Sequence, residues 1–403
     1  MHYLLKLIHL FINMKKFTSN EYKQRLDKTL LSMAKKGVDT LLVSDPANIY
    51  YLCGFDAWSF YMPQTMIISS KLDEPICFVR QMDVGGAYIQ TYLKDENIIA
   101  YPEKLVHMPP RHPYEYLVEV IKDKKLDTGV IAVEMDAHYF TATCYSKLVD
   151  GLSNCKLIDS GFLVNWVRFI KSDKEIEYMH QAARNVEVGM QAAIDHINVG
   201  TRQCDAAAAI YGGLIKGMEG FGGDYPSIAP MLPTGQGTSA AHLTWSNELF
   251  KENEATVIEI SGAYKRYHCP MARTVFLGNE DQEKLDVMNK TIEALEEGKA
   301  AIKAGVTADS VAQRFWKVLD KYNIKKDSRT GYSIGAGFPP DWGERTLNIS
   351  KNDPTILETN CTFHMIAVMQ MGDWGVEASD AIRVTDNGFE VLSDFPKELV
   401  FKN

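Results

Sequence analysis

Val257-Ile258-Glu259-Ile260-Ser261-Gly262-Ala263-Tyr264 is followed almost at once by Tyr267-His268-Cys269-Pro270-Met271-Ala272-Arg273-Thr274. The first run is apolar up to Glu259, which reads as a carboxylate at the end of a buried strand. Removing an unpaired carboxylate from water is costly, so such a group is rarely placed without purpose. Two readings stand side by side: a nucleophile or general base, or a structural glutamate paired with Arg273 or a tyrosine. In the second run stands Pro270, whose side chain carries no donor atom. Later stretches extend the frame: Gly331-Tyr332-Ser333-Ile334-Gly335, Phe363-His364-Met365-Ile366, and Gly375-Val376-Glu377-Ala378-Ser379-Asp380.

Around this frame the composition is that of a globular chain. Its 403 residues are 46% hydrophobic, enough for one large or two medium cores, and two domains are expected. The formal charge of −9 comes without a basic cluster, which argues against a nucleic-acid partner. Seven cysteines without a Cys-x-x-Cys pair suit neither a disulfide framework nor a zinc site, and point to a reducing cytoplasm. Residues 1–14 hold a short apolar run that Lys6 interrupts, and Met14-Lys15-Lys16-Phe17 offers a second start, so residues 1–18 are expected to be a leader or disordered extension. No stretch approaches the roughly 20 apolar residues that spanning a bilayer needs, and no membrane partner is expected.

Residues 19–36 show helical spacing. Short apolar runs at 40–43, 65–68, 76–79 and 130–133 alternate with helical stretches, the pattern of an α/β layer sandwich. The segment 161–176 reads as a junction. There Ser172, with Glu175 three residues on, forms a capping box that opens a long helix through residue 194.

The quoted frame resembles the pita-bread family of methionine aminopeptidases, prolidases and creatinases. The resemblance implies a creatinase-like N-terminal α/β domain over 19–168 and a pita-bread catalytic domain over 169–403, an α/β (α+β) fold class overall. In the metallopeptidases of that family two carboxylates eleven residues apart on paired strands bind two metal ions with a histidine and two glutamates. The matching positions here are Glu259, Pro270, Tyr332, Ile366 and Ser379, so four of five ligands are replaced. Hard oxygen ligands on both ions cannot be rebuilt from a proline. The expectation is therefore a hydrolase frame without metal and without any other cofactor.

Longer strings narrow the resemblance: Gly54-Phe55-Asp56-Ala57-Trp58-Ser59-Phe60-Tyr61, Ala241-His242-Leu243-Thr244-Trp245 and Pro339-Pro340-Asp341-Trp342-Gly343-Glu344-Arg345-Thr346. They are similar to the ectoine hydrolases, which open a cyclic amidine to N-acetyl-diaminobutyrate. This implies a small zwitterionic substrate and a homodimer in which the N-terminal domain of one subunit closes the active site of the other, with Trp58 and Phe60 acting in trans. Glu259 and His242 are then the first catalytic candidates, His242 because a neutral imidazole can take a proton from water and return it to nitrogen. Glu377 is the second carboxylate: it precedes Ser379 by two residues, which on a strand keeps it on the same face, whereas Asp380 points to the other. His268 and His364 are expected to orient Glu259 or touch substrate. Tyr332 replaces a ligand and joins the pocket, and Trp58, Phe60, Tyr61, Trp245, Trp342 and Trp374 could surround a small cation, though core packing competes as a reading for each. Arg345, Arg329 and Arg111 are unranked candidates for a substrate carboxylate. Rival readings keep the fold with another osmolyte, such as creatine or 5-hydroxyectoine, or with lyase chemistry, or make the chain an inactive binding protein. Retention of Glu259 and His242 argues against the last.

Overall fold

Thr18 opens the first helix: its hydroxyl accepts the Glu21 N–H, and Phe17 just before it is buried beneath the Arg25 guanidinium, 3.8 Å from ring centroid to Cζ. The computed structural model describes residues 16–402. Most of the expected leader therefore lies outside the described residues, while Phe17 and Thr18, assigned to that leader, are instead part of the folded unit. The chain divides into two units, Met1–Arg168 and Phe169–Asn403.

In the first unit helix α1 (Ser19–Lys35) leads into β1 (Thr40–Val43), α2 (Pro46–Cys53), β2 (Thr65–Ser69), β3 (Ile76–Arg80) and α3 (Val84–Gln90). Next come β4 (Ile98–Tyr101), α4 (Pro113–Asp123), β5 (Gly129–Val133), α5 (Ala142–Gly151), β6 (Cys155–Asp159) and α6 (Leu163–Val167). The six strands form one mixed sheet in the order β4-β3-β2-β1-β5-β6. Successive residues of β1 supply both faces: Leu41 and Val43 join one core with Met33 and Leu52, and Leu42 joins the other with Leu117 and Leu148. A strand covered on both sides is continuously apolar, which explains the short unalternating runs of the sequence.

The second unit opens with the capping box at Ser172, both hydrogen bonds of which are present, and α7 (Asp173–His196). It continues through α8 (Gln203–Lys216), β7 (Glu254–Tyr264), β8 (Tyr267–Leu277), α9 (Gln282–Lys299), α10 (Ala308–Lys321), β9 (Gly331–Phe338), β10 (Asp341–Asn348), β11 (Thr362–Gln370), β12 (Gly375–Thr385), β13 (Gly388–Val391) and β14 (Val400–Lys402). The sheet path is β13-β12-β11-β9-β8-β14, with β7 paired to β8 and β10 to β9. Helices α7 and α8 serve β7 and β8, and α9 lies on β11 and β12.

Strands β7 and β8 form an uninterrupted antiparallel ladder from Glu254↔Leu277 to Tyr264↔Tyr267. Lys265 and Arg266 between them both take positive φ (47° and 64°), as a two-residue turn matched to strand twist requires. Arg266 is held there by its backbone bond to Asp224 and by stacking 3.9 Å from the Tyr225 ring. Gly262 lets β7 lie against α7: a Cβ there would stand 2.0 Å from the Ala182 carbonyl oxygen. Glu259 is thus mid-strand rather than at a strand end, because the ladder runs on through the small residues that follow it.

Candidate active site

Glu259 and Glu377 line one cavity of about 260 Å³ in the second unit. Glu259 comes from β7, where its backbone also exchanges hydrogen bonds with Met231, and Glu377 from β12, where the Thr274 hydroxyl brackets its backbone N–H and C=O at 2.9 Å. Both carboxylates are therefore fixed by sheet backbone. Among the described residues neither side chain has a hydrogen-bond donor or ion-pair partner. Burial pushes Glu259 up to about 7, with the Asp341 charge adding to it. Glu377 is raised well above the usual carboxylate range, first by burial and then by Glu259, against the weaker pull of Lys326. The Glu259 charge thus weighs on Glu377, and the two carboxylates resist joint ionisation.

Beside this pair the replaced ligand positions are tied to each other. The Tyr332 hydroxyl accepts from Trp342 Nε1 at 2.8 Å and meets His364 Nδ1 at 3.2 Å. His364 Nε2 lies 2.6 Å from Ser379 Oγ, which also accepts the Ala272 N–H at 2.6 Å. Ile366, paired with Ser379 across β11 and β12, turns a hydrocarbon side chain to the cavity. The frame implies a two-metal centre, and the donor set does not fit one: Pro270 has no donor, Ile366 is apolar, the Ser379 hydroxyl is already engaged, and Tyr332 is held strongly protonated by burial and by Glu259. Among the described residues no three His, Cys, Asp or Glu side chains group as a ligand set.

Of the residues expected from sequence, Glu259, Glu377, His242, Tyr332 and Arg329 line this cavity. His242 is exposed, on a left-handed loop residue (φ 65°), with no hydrogen-bond partner among the described residues. His364 stands behind Tyr332, its pKa pushed down to about 3 by burial, so the ring is neutral. The others do not line it. His268 shares the face of Glu259 but sits four residues from Ala272 along β8, roughly 13 Å away. There it is fully buried, receiving the Ser227 N–H on Nε2 and bonding the Arg266 carbonyl through Nδ1. Trp245 packs edge-on to Tyr211, and Trp374 packs on the core beside Lys284. Trp342 is buried and acts through its indole N–H on Tyr332. Arg345 lies in β10 outside the cavity lining. Trp58, Phe60 and Tyr61 belong to the first unit: Trp58 and Tyr61 are exposed, and Phe60 packs between Trp58 and Tyr139. Arg111, also there, is engaged with Glu115 and Glu119.

Arg329 is the one of the three arginines at the cavity. Its guanidinium bonds Asn348 Oδ1 at 2.5 Å and lies 4.5 Å from the Tyr332 ring centroid, which leaves other N–H groups to meet an anion. Lys326, missed in the sequence, is pushed down to about 8 by burial and carries the countercharge felt by Glu377. Nothing in the surrounding Lys325-Lys326-Asp327 string distinguishes it from a solvated surface. Asp341 was quoted in the Trp342 string but not singled out.

The chain belongs to metallopeptidase family M24, whose model matches residues 177–386, and the creatinase/prolidase N-terminal domain matches residues 25–170. It is 41% identical to the ectoine hydrolase of Halomonas elongata, over 96% of this chain and 98% of that protein. An uncharacterized hydrolase/peptidase of Sinorhizobium fredii is 37% identical over 96% and 99%. The prolidase of Thermococcus sibiricus, at 21% identity, superposes with a TM-score of 0.83 over 96% of this chain and 100% of that one, a likeness of fold.

Proposed function

We propose that this member of the M24 family hydrolyses a ring carbon–nitrogen bond of ectoine, and that it does so with protein side chains, without a metal ion. The observation that carries the reading is that Glu259 and Glu377, both raised above the usual carboxylate range, line one cavity, while the other ligand positions of the frame are Pro270, Tyr332, Ile366 and Ser379. The kinship with an ectoine hydrolase supports the choice of substrate.

A cyclic amidine is cationic at neutral pH, and its carbon is a poor electrophile because the charge is delocalised. Ionised Glu259 attracts the cation and attacks that carbon, directly or through a water it deprotonates, forming one C–O bond. Protonated Glu377 delivers a proton to the departing ring nitrogen as the C–N bond breaks. On the direct route, a water deprotonated by His242 then releases Glu259. The net change on either route is one water consumed, an amide formed and an amine freed, giving N-acetyl-diaminobutyrate. Arg329 takes the substrate carboxylate, so that the zwitterion lies with its cationic end toward the two glutamates.

The same reading includes a cytoplasmic homodimer in which Trp58 and Phe60 close the partner's cavity. Among the described residues no helix is long and apolar enough to cross a membrane. The test is incubation of the purified protein with ectoine and a panel of other compatible solutes, with products followed by mass. Gain of one water on ectoine supports the assignment; inert ectoine beside turnover of another solute overturns it.

A further inference from the structure

We propose that Tyr332 is a fixed hydrogen-bond donor into the active-site cavity, its hydroxyl hydrogen turned into the space that Glu259 lines by a relay that runs from the Ala272 amide through Ser379 and His364. The proposal deepens the reading of Glu259 as the reacting carboxylate and rests on it.

The argument is a donor count along three contacts. Ser379 Oγ accepts the Ala272 N–H, and its own hydrogen has one acceptor among the described residues, His364 Nε2 at 2.6 Å. A buried hydroxyl is costly to leave unpaired, so Nε2 is the bare nitrogen of the ring. The neutral imidazole then carries its proton on Nδ1, which donates to Tyr332 Oη at 3.2 Å. Tyr332 Oη already accepts from Trp342 Nε1 at 2.8 Å. With both lone pairs engaged, the phenol hydrogen has to leave this network, and the cavity that Tyr332 shares with Glu259 is where it can go. The opposite tautomer puts two donors on Ser379 Oγ and leaves the serine hydrogen without a partner.

Two former ligand positions, Tyr332 and Ser379, thus become the ends of a neutral hydrogen-bond chain. Where a cation would have stabilised an anionic oxygen, a phenol now does so. An O–H dipole that points its hydrogen into the cavity favours the charged form of the carboxylate lining it, which opposes the burial and the Asp341 charge that raise Glu259. Tyr332 acts here through Glu259 and is a positioning residue.

Nitrogen-15 NMR of histidine-labelled protein, with the His364 signals found by their loss in His364→Gln, reads the tautomer directly and needs no substrate. A protonated Nδ1 with bare Nε2 supports the relay, and a protonated Nε2 overturns it. Tyr332→Phe keeps the ring and removes the donor; it should shift the acid limb of kcat/KM to higher pH and lower the plateau about 10-fold or more. Ser379→Ala frees the ring to flip and should shift the limb in the same direction, while Ser379→Thr restores it. An unshifted limb in Tyr332→Phe overturns the proposal even if the tautomer is as stated. If ectoine is not turned over at all, the substrate assignment fails while the NMR result still decides the relay.

Discussion

Glu377 and Asp380, three residues apart on β12, face opposite sides of the strand and have opposite surroundings. Asp380 is fully buried and held below the ordinary carboxylate value despite that burial, because Lys299 at 2.7 Å, Arg273 at 3.4 Å and Lys397 at 3.4 Å neutralise it. Glu377 has no ion-pair partner among the described residues. Asp380→Asn should therefore cost about 3–5 kcal/mol of stability, since it strands buried cations, whereas Glu377→Gln should leave stability unchanged or improved and lower turnover at least ~10²-fold. Chemical unfolding and steady-state kinetics on both variants check the contrast.

Glu259→Gln should keep the fold and lower turnover by at least ~10²-fold. The wild-type kcat/KM should rise with pH through about 7 as Glu259 ionises. Stability should run the other way. The folded protein retains a proton that the unfolded chain, with a carboxylate near 4.5, releases, so this group's contribution is fullest below pH 4.5 and is lost as pH rises to about 7. The variant should melt several degrees above wild type at pH 8 and show little difference at pH 4.5; equal melting temperatures at pH 8 would contradict the burial of that charge.

Activity should persist in excess chelator and gain nothing from added manganese, iron, cobalt or zinc, because Pro270, Tyr332, Ile366 and Ser379 occupy the ligand positions. Loss of activity in chelator that a divalent ion restores would refute metal-free chemistry.

Arg329→Ala should raise KM for a carboxylate-bearing substrate about 10- to 100-fold with a smaller effect on kcat, the range for a hydrogen bond to a charged group. Arg345→Ala and Arg111→Ala should not share that signature. If Arg345→Ala alone raises KM, the assignment of Arg329 to the substrate carboxylate fails.

A Trp58→Ala protein and a Glu259→Gln protein, each inactive alone, should recover activity when refolded together. A mixed dimer has one cavity with both residues intact and one with neither, so equal mixing should restore up to roughly a quarter of wild-type activity. Verified mixed dimers without recovery would remove Trp58 from the partner's cavity.

Much of the site could be read from the residues themselves. The spacing of Glu259 and Pro270 belongs to one hairpin, and period-two alternation placed Glu377 with Ser379 and turned Asp380 away. The capping box at Ser172 set the start of α7. What stayed hidden depends on distance along a strand or on loops. His268 has the right parity, yet nothing local says that Ser227 will take its ring. Trp245 and Trp374 are aromatic in either a pocket or a core, and only packing separates the two. Among three arginines, the one at the cavity is chosen by how Arg329 approaches Tyr332, which is tertiary information.

The hairpin also makes the loss of the ligands hard to undo. Pro270 stands opposite Ser261 on the face that carries Glu259, and the Tyr332 and Ser379 hydroxyls are engaged in hydrogen bonds of their own. Restoring one aspartate at 270 would add a third carboxylate to a pair that already resists joint ionisation. Putting a histidine back at 332 would strand the indole N–H of Trp342 and break the contact to His364. Each of these two reversals would trade a satisfied arrangement for an unsatisfied one. The hydrogen bonds that now hold Tyr332 and Ser379 and the donor set of a two-metal centre are alternatives that these positions cannot satisfy at once.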